Sequence, residues 1–176
     1  MTEYRRFQLP GATWFFTVNL AERTGNRRLV EYVEVLRAAF RRALSERPFR
    51  VDAIVVLPDH LHSIWTLPPG DEDFSSRWRM IKEQFSRGVP RDERITASRS
   101  ARRERGIWQR RFWARALTSQ ADLNNHMDYV HWNPVKHGHA ARPIAWPYSS
   151  LRRLIEAEVY EREWALAREL DIEAGE

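Results

Sequence analysis

The chain contains no cysteine, which removes disulfides, thiolate nucleophiles and any cysteine-based zinc knuckle together. Lysine is almost missing as well: of 29 basic residues only Lys82 and Lys136 are lysines, which leaves 27 arginines. No apolar run approaches the roughly 20 residues that cross a bilayer, and no basic-then-apolar leader opens the chain. A bacterial cytoplasmic protein with no membrane partner is therefore expected. No G-x-x-x-x-G-K-[ST] loop is present, so nucleotide triphosphate chemistry has no obvious seat.

What is there fits one domain: 176 residues, 43% of them hydrophobic, are enough for an adequate core. Arginine's planar fork grips phosphate oxygens in pairs and stacks on bases. A GC-rich genome would produce the same bias, so the distribution of charge is the better guide. Residues 156–176 hold eight acids against Arg162 and Arg168, a local net of −6, so the other 155 residues carry +11 of the overall +5. The densest basic stretch, 99–115, sets seven arginines against Glu104 and interleaves Trp108, Phe112 and Trp113. Surfaces that neutralise phosphates and stack bases have this composition.

Periodicity orders the elements. "WFFTVNL" (14–20) reads as a strand, and "VEYVEVLRAAFRRAL" as an amphipathic helix with Val33, Leu36, Phe40 and Leu44 on one side, ending near Glu46. Residues 51–57 and 60–67 read as two strands joined at Pro58–Asp59. "DFSSRWRMIKEQFSRGV" is a second helix capped by Asp73 or Ser75, with Trp78, Ile81 and Phe85 inward. Residues 90–106 read as a polar, mobile loop, and "RFWARAL" as a further strand. Thr118 or Ser119 caps a third helix, which Pro134 is expected to end at Trp132 or Asn133. This order predicts an α+β, ferredoxin-like βαββαβ sandwich: an antiparallel sheet whose centre is the first and third β segments, followed by a C-terminal helix carrying Tyr129. The domain is expected over 1–152, with an acidic tail over 153–176.

Within "VLPDHLHSIWTL" (56–67), His60 and His62 interrupt an apolar run. Alternate strand residues share a face, so both imidazoles project into one small volume, a natural pair of ligands for a divalent metal. Asp59 is placed to orient one ring. By spacing alone, two merely hydrogen-bonded histidines explain the pattern equally well. In "HMDYVHWNPVKHG", Tyr129 and Asn133 lie one helical turn apart on one face, with His126 a turn earlier. A phenol and a neutral amide there can serve as nucleophile and third ligand; ordinary packing for the tyrosine and a C-cap role for Asn133 are the plainer alternatives. His131, His137 and His139 read as rim residues rather than ligands.

Together, "VLPDHLHSIWTLP", "GIWQRRFW", "HMDYVHWNPVKHG" and "WPYSS", with the opening "YRRFQLPGATWFFTVNL", resemble the REP-associated tyrosine transposases, relatives of the IS200/IS605 single-tyrosine transposases of the HUH nuclease superfamily. The resemblance covers about residues 4–152. It implies Mg²⁺ or Mn²⁺ held by His60, His62 and Asn133; Asp59 and His126, by their placement, are expected in the second layer around them. It also implies attack by Tyr129 on a phosphodiester to give a 5′-phosphotyrosyl link and a free 3′-OH. The implied substrate is single-stranded DNA folded into REP-type hairpins in the nucleoid, with Arg5, Arg6, Lys82, Arg110, Arg111 and Lys136 as candidate backbone contacts. A monomer is expected, because the nucleophile and its ligands lie in one compact domain; a dimer that shares the tyrosine is the alternative. Two other readings are a non-catalytic single-strand binder on the same fold and an RNA-recognition-like module. The intact residue set argues against the first, and the missing RNP1-type consensus against the second.

Overall fold

The computed structural model describes residues 10–102 and 104–166. Strands β1 (Thr13–Asn19), β2 (Arg50–Val56), β3 (His60–Thr66) and β4 (Trp113–Leu117) form one open sheet in the order β2-β3-β1-β4. Every neighbouring pair is antiparallel. The two central strands are thus the first and third β segments. Helices α1 (Arg28–Glu31) and α2 (Val33–Glu46) precede β2; α3 (Phe74–Gly88) and the short α4 (Ala97–Ser100) precede β4; α5 (Gln120–Lys136) follows it. A 3₁₀ turn (Pro143–Ala145), α6 (Leu151–Glu156) and α7 (Arg162–Leu166) complete the described chain. No described helix is long and apolar enough to cross a membrane.

The period-two alternation of β1 divides the core between the two faces of the sheet. Trp14, Phe16 and Val18 join Leu61, Trp65, Trp78, Ile81 and Phe85 in the cluster beneath α2 and α3. There Trp65 and Trp78 stack with centroids 4.2 Å apart. Phe15 points the other way, into a smaller cluster with Ala53, Val55, Ile64, Leu117, Tyr129 and Val130 under α5. That second face carries the histidines.

Local chemistry fixes the helix ends. The Asp73 carboxylate accepts from the Ser76 amide at the start of α3, and the Ser119 hydroxyl from the Asp122 amide at the start of α5. Between Pro48 and α3, the buried Arg77 guanidinium donates to Asp71 at 2.6 Å and to the Pro48 carbonyl at 2.8 Å.

Two expectations change. Pro134 does not end α5, which runs on to Lys136. A proline so near a C-terminus removes a single intrahelical donor, and the turn closes beyond it through His137 N–H to Asn133 O (3.0 Å) and Gly138 N–H to Val135 O (2.9 Å). Gly138, at φ 70°, then supplies the left-handed exit. Residues 90–106 are not a bare loop: they contain α4, and Arg105 pairs with Glu93 and caps the carbonyls of Ser86, Val89 and Pro90. The acidic stretch from 153 onward begins inside α6, where Leu151 and Leu154 are buried. It continues along α5, with the Tyr160 hydroxyl donating to Asp128 at 2.7 Å and the Trp164 ring 6.4 Å from that of Trp132. Residues 167–176 lie outside the described residues.

Candidate active site

The sheet register sets the site. Val55, His62, Thr17 and Trp113 are cross-strand partners in one row across all four strands, and Asn19 pairs with His60 in the next. The imidazoles of His60 and His62 lie 5.0 Å apart, nearly perpendicular at 88°. Both are almost fully buried, at 3% and 2% exposure. Helix α5 lies over this face and presents Tyr129, whose ring meets that of His62 edge-on at 5.2 Å and that of Phe15 at 5.9 Å. One turn on, Asn133 is wholly buried and donates its amide N–H to the Tyr129 carbonyl at 3.1 Å. Lys136 holds its ammonium 5.0 Å from the Tyr129 ring centroid.

Each histidine has an orienting partner. His62 Nδ1 lies 2.9 Å from the Thr17 hydroxyl, and His60 Nδ1 lies 2.7 Å from Asp59 Oδ1. The other Asp59 oxygen accepts from Arg23 Nε at 2.6 Å, forming an Arg23–Asp59–His60 chain. Burial opposes the Asp59 carboxylate, but the hydrogen bonds from His60 and Arg23 outweigh it and hold the carboxyl below its usual range. Burial lowers the His60 pKa against the pull of Asp59. It carries that of His62 well below the ordinary value, helped by His60 and His137 and opposed by the Asn133 amide. Both rings therefore favour the neutral form that a metal ligand requires.

Two buried acceptor atoms decide how the site can be used. His62 Nε2 and Asn133 Oδ1 have no hydrogen-bond partner among the described residues. Such groups cost about 1–3 kcal/mol when left unmade; Trp14 Nε1, Asn19 Oδ1, Trp78 Nε1, His126 Nε2 and His131 Nδ1 share that state among the described residues. His62 Nε2 and Asn133 Oδ1 differ in belonging to the groups that face Tyr129. An amide oxygen suits Mg²⁺ or Mn²⁺, whereas imidazole nitrogens suit transition metals, so of the two ions that the resemblance implies the mixed donor set fits Mn²⁺ better. Among the described residues no three His, Cys, Asp or Glu side chains group as a metal site.

The remaining candidates divide. His126 is buried beside Phe15 (4.9 Å) and bonds the Asp122 carbonyl at 2.8 Å; Phe15, stacked on His62 at 5.5 Å, bridges the two, so His126 supports the ring packing rather than touching a ligand. Lys82 and Arg110 line a separate basic cavity of about 740 Å³ with Arg79, Arg87, Arg91 and Arg99. Lys82 donates to the Gln109 carbonyl there, and Arg110 pairs with Glu104 at 2.8 Å. Arg111 is exposed. Arg5 and Arg6 lie outside the described residues.

The site also contains residues that the sequence did not assign to it. Arg23, Thr17, Asn19, Trp113 and His137 join the histidine pair around a cavity of about 350 Å³. His137 meets the His60 ring at 5.2 Å and stacks on His139, which stacks on Trp146. The signal for it was its place one further helical turn past Asn133, hidden by the expectation that Pro134 stops the helix. His131 is not a rim residue: it is fully buried, 3.0 Å from the Ser150 hydroxyl.

A histidine pair on a central strand, faced by a tyrosine and an amide one turn apart on the covering helix, is the arrangement of the HUH single-tyrosine DNA-processing enzymes. No family model matches the chain. It is 43% identical over 176 residues, 100% of its own length and 98% of the other's, to the REP-associated tyrosine transposase of Escherichia coli strain K12. It is 41% identical over 165 residues, 93% of each chain, to a Haemophilus influenzae relative assigned to the same family. A solved structure of a REP-associated tyrosine transposase bound to a REP hairpin aligns with a TM-score of 0.80 at 41% identity, covering 99% of this chain and 98% of that one. The chain belongs to the family of REP-associated tyrosine transposases, DNA-cleaving enzymes of bacteria.

Proposed function

We propose that the protein is a metal-dependent endonuclease and strand transferase acting on single-stranded, REP-type hairpin DNA, with Tyr129 as nucleophile and His60, His62 and Asn133 as ligands of Mg²⁺ or Mn²⁺. The observation that carries this reading is the convergence of the His60 and His62 rings, 5.0 Å apart, with the Tyr129 ring 5.2 Å from His62 and the buried Asn133 one turn further along the same helix. The hairpin bound in the solved relative supports the choice of substrate.

The chemistry is an exchange of one phosphodiester for another. The Tyr129 phenol gives up its proton and its oxygen bonds to phosphorus; the bond from phosphorus to the 3′ oxygen breaks, and that oxygen takes up a proton. The products are a 5′-phosphotyrosyl link and a free 3′-OH. Because bond energy is conserved, the 3′-OH can reverse the step and join strands without ATP. A phenol of ordinary pKa about 10 is a weak nucleophile at neutral pH. The Lys136 ammonium lies over its ring, 5.0 Å from the centroid. A bound divalent cation would supply further charge neutralisation on the phosphate oxygens. Asp59 holds the His60 ring in one orientation, and Arg23 holds Asp59.

The strand order supports a ferredoxin-like sheet as the scaffold; 1–152 is taken as the catalytic unit and 153–176, which starts within α6, as its acidic tail. Tyr129 packs against His62 of its own chain, which favours a monomer acting in cis. Arg5, Arg6, Lys82, Arg110, Arg111 and Lys136 remain the proposed backbone contacts, with chromosomal DNA of the cytoplasm as the target.

The test is cleavage of an end-labelled REP hairpin oligonucleotide against a Mn²⁺ series. Wild type should cleave and lose activity in a chelator; His62→Ala and Asn133→Ala should retain hairpin binding while losing cleavage. Cleavage that survives both substitutions, or the chelator, would overturn the ligand assignment.

A further inference from the structure

We propose that Trp113 is a stacking platform that seats one unpaired nucleobase next to the scissile phosphate, and so fixes where the phosphate lies relative to His60 and His62. The inference rests on the reading above that single-stranded DNA enters this cavity.

Of the eight tryptophans in the chain, Trp113 alone is exposed, with 40% of its surface open; the others are buried or half-buried. Leaving a large indole in water forgoes about 25 cal/mol for each Å² of apolar surface that could be covered. The ring lies on β4, an edge strand, and lines the same cavity as His60, His62, Arg23 and His137.

Its position is fixed. Trp113 pairs with Thr17 and Thr17 with His62 in the row that crosses the sheet, so two strand spacings of about 4.8 Å separate the backbones that carry indole and imidazole. Phe15 ties the two rings together: it meets Trp113 at 5.6 Å and 73°, and stacks on His62 at 5.5 Å and 15°. Phe15 thus packs against both the indole and the His62 ring.

The surroundings favour a base over a protein partner. Around the indole the cavity is lined by Thr17, Asn19, Arg23 and His137 rather than by apolar side chains. Arg111 and Arg115 are exposed on either side of it along the chain. A flat aromatic surface amid hydrogen-bonding groups and cations is the composition of single-strand binding grooves, where the ring takes the base and the cations take the backbone. Every base has a stackable face, so Trp113 positions the strand rather than reading its sequence.

The experiment uses the full chain and the same hairpin oligonucleotide, with the nucleotides flanking the scissile phosphate replaced one at a time by an abasic analogue. Binding is read by anisotropy in a chelator and cleavage with Mn²⁺, for wild type, Trp113→Ala and Trp113→Phe. Base stacking of about 1–3 kcal/mol corresponds to roughly 5- to 150-fold in affinity. Trp113→Ala should lose at least about 5-fold, and Trp113→Phe should recover most of it. One abasic position should penalise wild type by the same factor and Trp113→Ala hardly at all. Normal cleavage with a flat abasic series, or equal abasic penalties in wild type and Trp113→Ala, overturns the stacking role alone. A wild-type protein that neither binds nor cleaves any hairpin overturns the underlying reading of the site. Should Trp113→Ala unfold, the wild-type abasic series and Trp113→Phe still decide.

Discussion

Removing the Asp59 carboxylate should weaken metal binding without unfolding the sheet. Asp59 Oδ1 lies 2.7 Å from His60 Nδ1, and its other oxygen 2.6 Å from Arg23 Nε. A hydrogen bond to a charged group contributes about 1.5–3 kcal/mol. Asp59→Ala frees the His60 ring to rotate away from the cavity, and the loss of such an outer partner costs about 10- to 100-fold in metal affinity. The two figures agree, since tenfold corresponds to about 1.4 kcal/mol. Asp59→Asn keeps an acceptor in place without its charge and should lose less, about 10-fold at most by the same reckoning. The freed Arg23 side chain is 46% exposed and returns to water at little cost. The Asp59 carbonyl, which accepts from the Leu20 amide at 2.8 Å, is untouched, so the strand connection should survive. Calorimetric titration of Mn²⁺ into wild type, Asp59→Ala and Asp59→Asn reads the ranking directly, with circular dichroism checking the fold. A folded Asp59→Ala that binds Mn²⁺ within about twofold of wild type would refute the argument that this carboxylate holds His60 in place.

Other outcomes follow from the scaffold. Arg77→Met strips donors from the carbonyls of Arg47, Pro48 and Asp73; those groups can partly rewet, so the loss should be about 2 kcal/mol, read as a lower urea midpoint at unchanged slope. Glu93, gripped by Arg105, has its carboxyl lowered from 4.5 to about 2. A carboxylate with a depressed folded pKa adds stability above its unfolded value and loses it as pH falls through the folded one. Wild type should therefore lose stability between about pH 4.5 and 2, and Glu93→Gln should show a shallower decline there; parallel curves would mean that the pair contributes nothing to acid sensitivity.

Most of the sheet was legible because period two is hard to disguise: Trp14, Phe16 and Val18 facing one cluster and Phe15 the other follow from alternation alone. The His60–His62 pair and the Tyr129–Asn133 turn were readable for the same reason, since each needs only the repeat of its own element. What was hidden depends on register between elements. Trp113 joins the row of His62 only because β4 pairs with β1 so that Trp113 meets Thr17. Arg23 reaches Asp59 across 36 residues. His137 was masked by a local rule about proline that the surrounding hydrogen bonds override. His131 looked like rim because a histidine is seldom wholly buried, and its Ser150 partner comes from 19 residues away.

The account turns on one phenol. The most direct measurement is a denaturing gel of the protein incubated with a labelled REP hairpin and Mn²⁺, followed by mass spectrometry of the labelled peptide. The account predicts a denaturation-resistant adduct in wild type, mapped to Tyr129, and none in Tyr129→Phe, which still binds the hairpin. An adduct that persists in Tyr129→Phe, or cleavage by wild type with no adduct at all, would contradict it.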